Sequence, residues 1–451
     1  MKNISKIIST VFLSFSILLL CYVFYRSQVV HFGAKFDYYL KYYIIAFLFI
    51  ILSFISFFIP EKLKINITIV FTSTIICLYI VEGYFVTNYL IKTLKDNRFE
   101  IYKNNTGQNY DKRSKFQIYN DLKKENPNIA VTIVPSFFLS DKNLNYLPLS
   151  GLSNRKTIHC NENGYYSIYQ SDRFGFNTPD EEWDKDEIEF FLVGDSLTHG
   201  DCVNEPDTIS GNLRKLIDNE NGILNLGQVG SGPLSEYAIL REYLPLKKTK
   251  RVLWLYYEGN DLADLNKELN NQILFNYLKD KNFSQNLISR KQEIQKLLLK
   301  KLEQETLKQE TLKEETLKQK ILFELMQFVK LYKLRDIYLT TPTPPKEFSN
   351  VLKLSNKLAK ENNSKLYFIY LPEYKRYIDE NNNSELHNYK KIIKLVRSLD
   401  IPVIDINKKL FEKYDDPLSL FSFKMVHYTE KGNQLIAKII FSKIQEYENI
   451  K

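Results

Sequence analysis

The chain has 451 residues, a formal net charge of +9 and a 44% share of hydrophobic residues. This length is sufficient for two or three domains, and the mild positive charge does not indicate nucleic acid as a partner. The sequence shows no zinc-ligand spacing, P-loop or dinucleotide-binding glycine pattern. We therefore expect no metal ion and no nucleotide or other cofactor.

Residues 1–92 have the composition of a membrane module. Apolar runs cover residues 7–25, 43–59 and 65 to about 90, and runs of about 17 to 25 residues are long enough to cross a hydrocarbon core. We predict three transmembrane helices that anchor the chain in a lipid bilayer. Glu82 lies in the third run. Either it lies among the headgroups where that helix ends, or it brings a carboxylate into the helix bundle.

Residues 93–186 form a polar connection followed by two short runs rich in β-branched and aromatic residues, at 129–134 and 165–169. Such runs are typical of short strands. We predict a linker and a small accessory β region before the next domain.

Strands alternate with helical stretches over residues 187–451. Alternation of this kind indicates a parallel sheet covered by helices on both faces, with functional groups beyond the carboxyl ends of the strands. We therefore predict an α/β domain. Its strands are expected at residues 189–193, 223–226, 252–257, 366–371 and 403–406.

A long insertion at about residues 265–339 interrupts this alternation. It repeats the sequence Glu-Thr-Leu-Lys, whose composition is strongly helical. Its leucines recur every five residues, and a step of five advances about 140° around a helix, so they form no single stripe. We expect a long, mostly solvated helix that projects from the domain. It either contacts a protein partner or is a tolerated low-complexity insertion. The leucines are Leu302, Leu307, Leu312 and Leu317.

Four motifs in the α/β domain carry polar groups at the ends of predicted strands or before a helix. Ser196 follows the first strand in Gly194-Asp195-Ser196-Leu197. A serine hydroxyl at such a turn is a poor nucleophile unless a base and an oxyanion site assist it. The other motifs are residues 225–230, Gly259-Asn260-Asp261, and His427 before an amphipathic C-terminal helix.

In order and spacing the four motifs resemble those of the SGNH hydrolase superfamily, also called GDSL esterases and lipases. The resemblance covers about residues 187–447 and implies a three-layer, flavodoxin-like domain. It implies that Ser196 attacks an acyl carbonyl and that His427 takes the hydroxyl proton. It also implies an oxyanion hole made by the backbone N–H groups of Ser196 and Gly230 and by the side-chain amide of Asn260. A glycine at 230 suits this role because it lets the backbone approach the substrate closely.

The sequence departs from the family at the acid that orients the histidine. The family has an aspartate three residues before the histidine, whereas this chain has Lys424 there. A lysine cannot accept a hydrogen bond, so the site is either a Ser–His dyad or uses another acid. Asp415 and Asp416 are the nearest candidates in the sequence, and our hypothesis is Asp416.

The positions of the cysteines indicate whether the part of the chain after the membrane helices lies in an oxidising compartment. Cys21 and Cys77 lie in the predicted membrane helices, and Cys160 and Cys202 lie in the remaining part. In an oxidising compartment the second pair can form a disulfide that ties the segment before the α/β domain to the nucleophile loop. The alternative is two separate thiols.

Together these features predict a membrane-anchored serine hydrolase that cleaves an ester through an acyl-serine intermediate. The substrate is expected to be an acylated glycan or lipid of the envelope. One alternative is an O-acyltransferase in which a polysaccharide hydroxyl captures the same acyl group. Another is a non-catalytic scaffold on the same fold, which the lysine at position 424 leaves open.

The location follows from the helices and the expected substrate. Basic residues flank the apolar runs on both sides, so the positive-inside rule does not decide the orientation. With the N-terminus inside, three crossings place the α/β domain outside. We expect an integral protein of a bacterial inner membrane with this domain facing the periplasm or the exterior.

Overall fold

The computed structural model describes residues 2–30, 36–94, 98–217, 220–311, 316–338, 343–378, 383–423 and 427–448. It has two compact units. The membrane unit consists of Met1–Lys95 and Leu317–Leu339, and the α/β unit consists of Asp96–Thr316 and Thr340–Lys451.

The helices and strands of both units have the following bounds. The helices are α1 (Lys2–Phe24), α2 (Phe36–Ser56), α3 (Glu61–Leu94), α4 (Arg98–Thr106), α5 (Lys115–Lys123), α6 (Ser196–His199), α7 (Ile209–Arg214), α8 (Pro233–Tyr243), α9 (Asp261–Glu268), α10 (Gln272–Lys279), α11 (Lys291–Thr311), α12 (Thr316–Val329), α13 (Tyr332–Tyr338), α14 (Lys346–Glu361), α15 (Asn383–Arg397), α16 (Ile406–Lys409) and α17 (Glu430–Glu448). The strands are β1 (Ala130–Val131), β2 (Lys156–Ile158), β3 (Ile168–Gln170), β4 (Glu187–Gly194), β5 (Gly222–Asn225), β6 (Lys248–Tyr257), β7 (Lys365–Leu371) and β8 (Val403–Asp405).

The membrane unit contains three helices that are long and apolar enough to cross a membrane, which confirms that prediction. The candidate spans are Ile4–Val29, Tyr39–Ser56 and Glu61–Asn88. Polar contacts join these helices in the interior, including Ser16 Oγ to Ser53 Oγ at 2.8 Å. The side chain of Glu82 is buried by protein within the membrane unit, with 0% of it exposed.

The main sheet has the strand order β5-β4-β6-β7-β8, and every neighbouring pair is parallel. All five predicted strands are present. Along β6, Val252 and Trp254 lie in one buried apolar cluster, while Leu253 and Leu255 lie in the other. This period of two places apolar side chains on both faces of the sheet. Helices α8, α14 and α15 cover one face, and α7 and α17 cover the other. The predicted parallel-sheet, three-layer α/β fold is therefore confirmed.

The region before the main sheet belongs to the same compact unit as that sheet, whereas the sequence indicated a linker and a small accessory β region. Strands β1, β2 and β3 form a small sheet, with β1 parallel and β3 antiparallel to β2. Ile129 and Ile158 share one apolar cluster with Ile188 and Phe191 of the main sheet. This common core fixes the loop between β2 and β3, residues 159–167, against the α/β unit.

The insertion is not a single solvated helix. In α11, Ile294, Leu298 and Leu302 follow one another at four-residue intervals and lie in the core of the α/β unit. Leu307 is 62% exposed, which agrees with the prediction that the repeated leucines form no single stripe. Leu312 lies outside the described residues. The later helices, α12 and α13, belong to the membrane unit. The expectation of a projecting helix was wrong because apolar residues of α11 pack into the core of the α/β unit, while α12 and α13 belong to the membrane unit.

The packing of α11 gives a direct test. Leu298→Ala removes a side chain with 0% exposure, so we expect it to lower the free energy of unfolding by about 2–5 kcal/mol. The matched variant Leu307→Ala changes an exposed leucine on the same helix and should change it by less than about 0.5 kcal/mol. Denaturant unfolding measures both, and equal effects would contradict the packing of α11.

Candidate active site

The nucleophile motif is held at the end of β4 by close packing. A Cβ at position 194 would lie 2.1 Å from Thr198 Oγ1 and 2.6 Å from the carbonyl oxygen of Leu255, so only glycine fits there. Asp195 caps α6 by accepting the Leu197 N–H at 3.0 Å. Ser196 is the first residue of that helix, so its own N–H has no helical acceptor.

His427 lies beside the nucleophile. Its Nε2 is 2.9 Å from Ser196 Oγ, a distance at which the hydroxyl can donate to a neutral imidazole. The histidine is positioned by its neighbours, because Phe421 and Tyr428 form a β-bridge and the Tyr428 hydroxyl donates to the Pro372 carbonyl oxygen at 2.7 Å.

The acid beside this histidine is Glu162, which the sequence reasoning did not identify. Glu162 Oε1 lies 3.1 Å from His427 Nδ1. Its Oε2 accepts the Ser422 hydroxyl at 2.6 Å and the His427 backbone N–H at 3.3 Å. These contacts fix the carboxylate, and Ser196, His427 and Glu162 therefore have the mutual arrangement of a catalytic triad.

This arrangement corrects the hypothesis for Asp416. The side chain of Asp416 is exposed, and its backbone carbonyl accepts the Ser419 hydroxyl at 2.6 Å. Lys424 lies outside the described residues. The acid comes instead from the loop between β2 and β3, which precedes the nucleophile in the chain. Cys160 was the available signal, since a disulfide from it to the nucleophile loop would bring the neighbouring Glu162 to the site.

Cys160 and Cys202 do form a disulfide, across a sequence separation of 42 residues. The sequence left open a disulfide or two separate thiols, and the structure has the disulfide. The bond joins the loop that carries Glu162 to the loop that carries Asp201. It thus connects two acidic residues that both lie close to His427.

Asp201 is the centre of a buried group of histidines. Its Oδ1 lies 2.7 Å from His159 Nε2 and 3.0 Å from His199 Nδ1, and its Oδ2 lies 3.6 Å from His427 Nε2. Burial lowers the pKa of His159 to about 4, so this ring is neutral at pH 7. Burial alone would raise the pKa of Asp201, but its contacts with His159 and His199 and the charge of His427 outweigh this effect and hold that pKa well below its usual range. Asp201 is therefore an anion that faces the imidazole of His427.

The two carboxylates make His427 unusually basic. Burial lowers the pKa of His427. The Glu162 hydrogen bond and the charges of Asp201, Glu162 and Asp195 raise it by a larger amount, so that the resulting pKa is about 9. In the same way, burial raises the pKa of Glu162, while its contacts with His427 and Ser422 produce a net lowering. His427 is consequently protonated at pH 7 in the free protein, and it acts as a base only once it has lost that proton.

The predicted oxyanion groups lie at the ends of neighbouring strands. The loop after β5 contacts the nucleophile turn, because the Gln228 N–H donates to the Gly194 carbonyl at 3.0 Å. Gly230 has a φ of 71°, and a Cβ there would lie 2.9 Å from Ser136 Oγ. Asn260 follows β6 and uses its Nδ2 to donate to Asp264 Oδ2 at 3.0 Å. A carboxamide nitrogen has two N–H groups, so one more remains for a substrate. The oxyanion role of these residues stays a prediction.

Among the described residues, two clusters have metal-ligand spacing, and each depends on a cysteine of the disulfide. Their sulfur atoms are bonded to each other and do not present thiolates. The histidine and carboxylate members instead contact one another, as described above. The clusters are His159, Cys160 and Asp201, and Glu162, Cys202 and His427.

No protein-family model and no curated protein matches this chain. The solved structures that match include a putative lipolytic protein of the G-D-S-L family from Desulfitobacterium hafniense DCB-2, with 14% identity and a TM-score of 0.32, over 57% of this chain and 98% of that one. The psychrotrophic esterase EstA from Pseudoalteromonas sp. has 11% identity and a TM-score of 0.32, over 59% and 100%. The acetyl xylan esterase AlAXEase has 12% identity and a TM-score of 0.32, over 57% and 100%. These likenesses are distant, so the chemistry is inferred from the geometry of the site.

The pKa of His427 predicts the pH dependence of ester hydrolysis. Because the neutral imidazole is the base, we expect kcat/KM to rise with pH around a pKa of about 9. Asp201→Asn removes a negative charge that faces the ring, so it should lower this pKa and move the rise to lower pH. A pH–rate profile on a small chromogenic ester measures the shift. Asp207→Asn, which removes a surface partner of Lys215, should leave the profile unchanged. An unshifted profile in Asp201→Asn would show that Asp201 does not act on the base.

The disulfide predicts sensitivity to reduction. The double variant Cys160→Ser/Cys202→Ser should lose roughly 3–4 kcal/mol of stability and should lower kcat, because the loop that holds Glu162 is released. The double variant Cys21→Ser/Cys77→Ser should be fully active. Activity assays with thiol counting measure the effect, and full activity after complete reduction would argue against a role for the bond.

Proposed function

We propose that this protein is a membrane-anchored serine hydrolase that cleaves an ester through an acyl-serine intermediate. The observation that carries the proposal is the contact of Ser196 Oγ with His427 Nε2 at 2.9 Å, with Glu162 at 3.1 Å from Nδ1. A nucleophile, a base and an orienting acid are the three groups that acyl transfer to a serine requires.

In the first half-reaction Ser196 Oγ attacks the acyl carbonyl carbon as its proton passes to His427 Nε2. Glu162 holds the ring with Nδ1 as a donor and stabilises the imidazolium that forms. The carbon–oxygen bond to the leaving alcohol then breaks, and Nε2–H gives its proton to the departing alkoxide. The product is an acyl ester of Ser196.

In the second half-reaction a water molecule replaces the alcohol. His427 takes a proton from the water, whose oxygen attacks the acyl carbon, and then returns the proton to Ser196 Oγ as the acid leaves. The oxyanion formed in both steps is assigned to the N–H groups of Ser196 and Gly230 and the side-chain amide of Asn260. Removing one such donor typically costs about 10²–10³ in kcat.

The location proposed from the sequence has support from the disulfide. Structural disulfides persist in oxidising compartments, so the α/β unit belongs outside the cytoplasm. Three crossings from an inside N-terminus bring the chain to that side. We therefore propose an inner-membrane protein facing the periplasm or exterior, and an acyl group on an envelope glycan or lipid as the substrate.

Two alternatives use the same fold. A non-catalytic scaffold has no need of a carboxylate on His427 Nδ1, and the presence of Glu162 there argues against that reading. An O-acyltransferase would form the same acyl-Ser196 and pass it to a sugar hydroxyl. Product analysis with and without a polysaccharide acceptor separates transfer from hydrolysis.

A fluorophosphonate probe that labels activated serines tests the site itself. We expect the wild-type protein to be labelled, and Ser196→Ala and His427→Ala to be unlabelled. Glu162→Gln should lower kcat for a model ester by about 10²–10⁴ because the imidazolium loses its carboxylate. Asp416→Asn is the matched control and should be unchanged. An unlabelled wild-type protein above pH 9, where His427 is neutral, would contradict the proposed hydrolase.

A further inference from the structure

We call α12 and α13 the insertion helices. They belong to the membrane unit and contact α3. The Tyr79 hydroxyl donates to the Val329 carbonyl oxygen at 3.0 Å, and the rings of Tyr79 and Phe328 lie 5.4 Å apart. A Cβ on Gly83 would lie 3.7 Å from Phe328, an ordinary van der Waals distance, so α12 packs directly against α3 at this point.

The buried carboxylate of Glu82 holds the break between these two helices. Leu331 has a φ of 51° at this break, and α13 starts just after it. Glu82 Oε1 accepts the Lys333 N–H at 2.9 Å, and Oε2 accepts the Leu334 N–H at 2.8 Å. The first N–H groups of a helix have no helical acceptor, and such groups are costly in an apolar medium. The contact therefore provides an acceptor for the backbone N–H groups at the start of α13. It also provides donors for a carboxylate that lies within a membrane helix.

The outer face of α12 is apolar and has no protein covering it within the described residues. Leu322, Leu325, Met326 and Val329 are 58%, 55%, 47% and 66% exposed, at the spacing of one helical stripe. On α3, Ile80 follows the Tyr79 that contacts α12, and it is 66% exposed. Both of these contacting helices therefore present exposed apolar side chains, and α3 has the length and composition to cross a membrane. Acyl chains of the lipid are its expected neighbours.

The depth of Glu82 agrees with a position at one side of the bilayer. At 1.5 Å per residue, Glu82 lies about 31 Å along α3 from Glu61, close to the thickness of a hydrocarbon core of about 30 Å. The segments on either side of the insertion helices both belong to the α/β unit. The 14 residues of α12 extend about 21 Å, too short to cross.

We propose that the insertion helices lie in the bilayer interface on the side of the α/β unit, with the stripe of α12 against acyl chains and with Glu82 as their anchor. This gives the α/β unit a second attachment to the membrane besides α3. The exposed Lys330 and Arg335 near the break suit contact with lipid phosphates.

Tryptophan quenching by brominated lipid tests the position in the full-length protein, reconstituted in phosphatidylcholine–phosphatidylglycerol vesicles. The chain has 2 tryptophans, Trp183 and Trp254, which are 3% and 0% exposed and give a constant background. Leu325→Trp should be quenched by the brominated lipid. The matched control Ile378→Trp, at a 56% exposed position of the α/β unit, should not be quenched. Equal quenching of the two added tryptophans would overturn the proposal and favour a protein partner for this face.

Hydrogen exchange tests the anchor. In Glu82→Leu the amides of Lys333 and Leu334 lose their acceptors, so we expect faster exchange there and weaker quenching of the added tryptophan at 325. Glu82→Gln keeps one acceptor oxygen and should show a smaller change, and Glu100→Gln, an exposed acid in α4, should show none. Fluorophosphonate labelling of Ser196 should persist in all three, which reports an intact α/β unit. Unchanged exchange in Glu82→Leu would remove Glu82 as the anchor.

Discussion

The contact between Glu162 and His427 is the interaction on which the proposed chemistry depends. A histidine beside a serine is not sufficient, because the imidazole must present one nitrogen to the hydroxyl and carry a proton on the other. Glu162 meets both needs and is itself held by Ser422 and by the backbone N–H of His427. The carboxylate thus has little freedom to leave the ring, and the base stays oriented before any substrate is bound.

This contact explains why residues before the main sheet share its core. Glu162 is on the loop between β2 and β3. That loop can hold Glu162 beside His427 only if the small sheet is fixed against the large one. Apolar packing around Ile158 and Phe191 and the bond between Cys160 and Cys202 provide this. The segment that has the composition of an accessory region is therefore a structural part of the proposed active site.

The same carboxylates that orient His427 also keep it protonated. Glu162 and Asp201 approach opposite nitrogens of the ring, and together they more than offset the effect of burial on its pKa. A strong base is useful in taking the serine proton, but a strongly held proton reduces the fraction of protein that is ready to react. Asp201 is itself kept anionic by His159 and His199. The balance between readiness and base strength is therefore set by Glu162 together with buried groups outside the triad.

The sequence by itself determined the elements whose pattern is local. Apolar runs of bilayer length indicated three membrane helices, and apolar strands alternating with helical stretches indicated the parallel sheet with Ser196 at the end of a strand. Only the tertiary structure decided which acid contacts His427, because Glu162 precedes it by 265 residues and the sequence offered only the neighbouring Cys160 as an indirect signal. It also divided the insertion between two units. Which surface an apolar helix covers depends on the apolar surfaces available elsewhere in the folded chain, and a helix's own spacing cannot specify them.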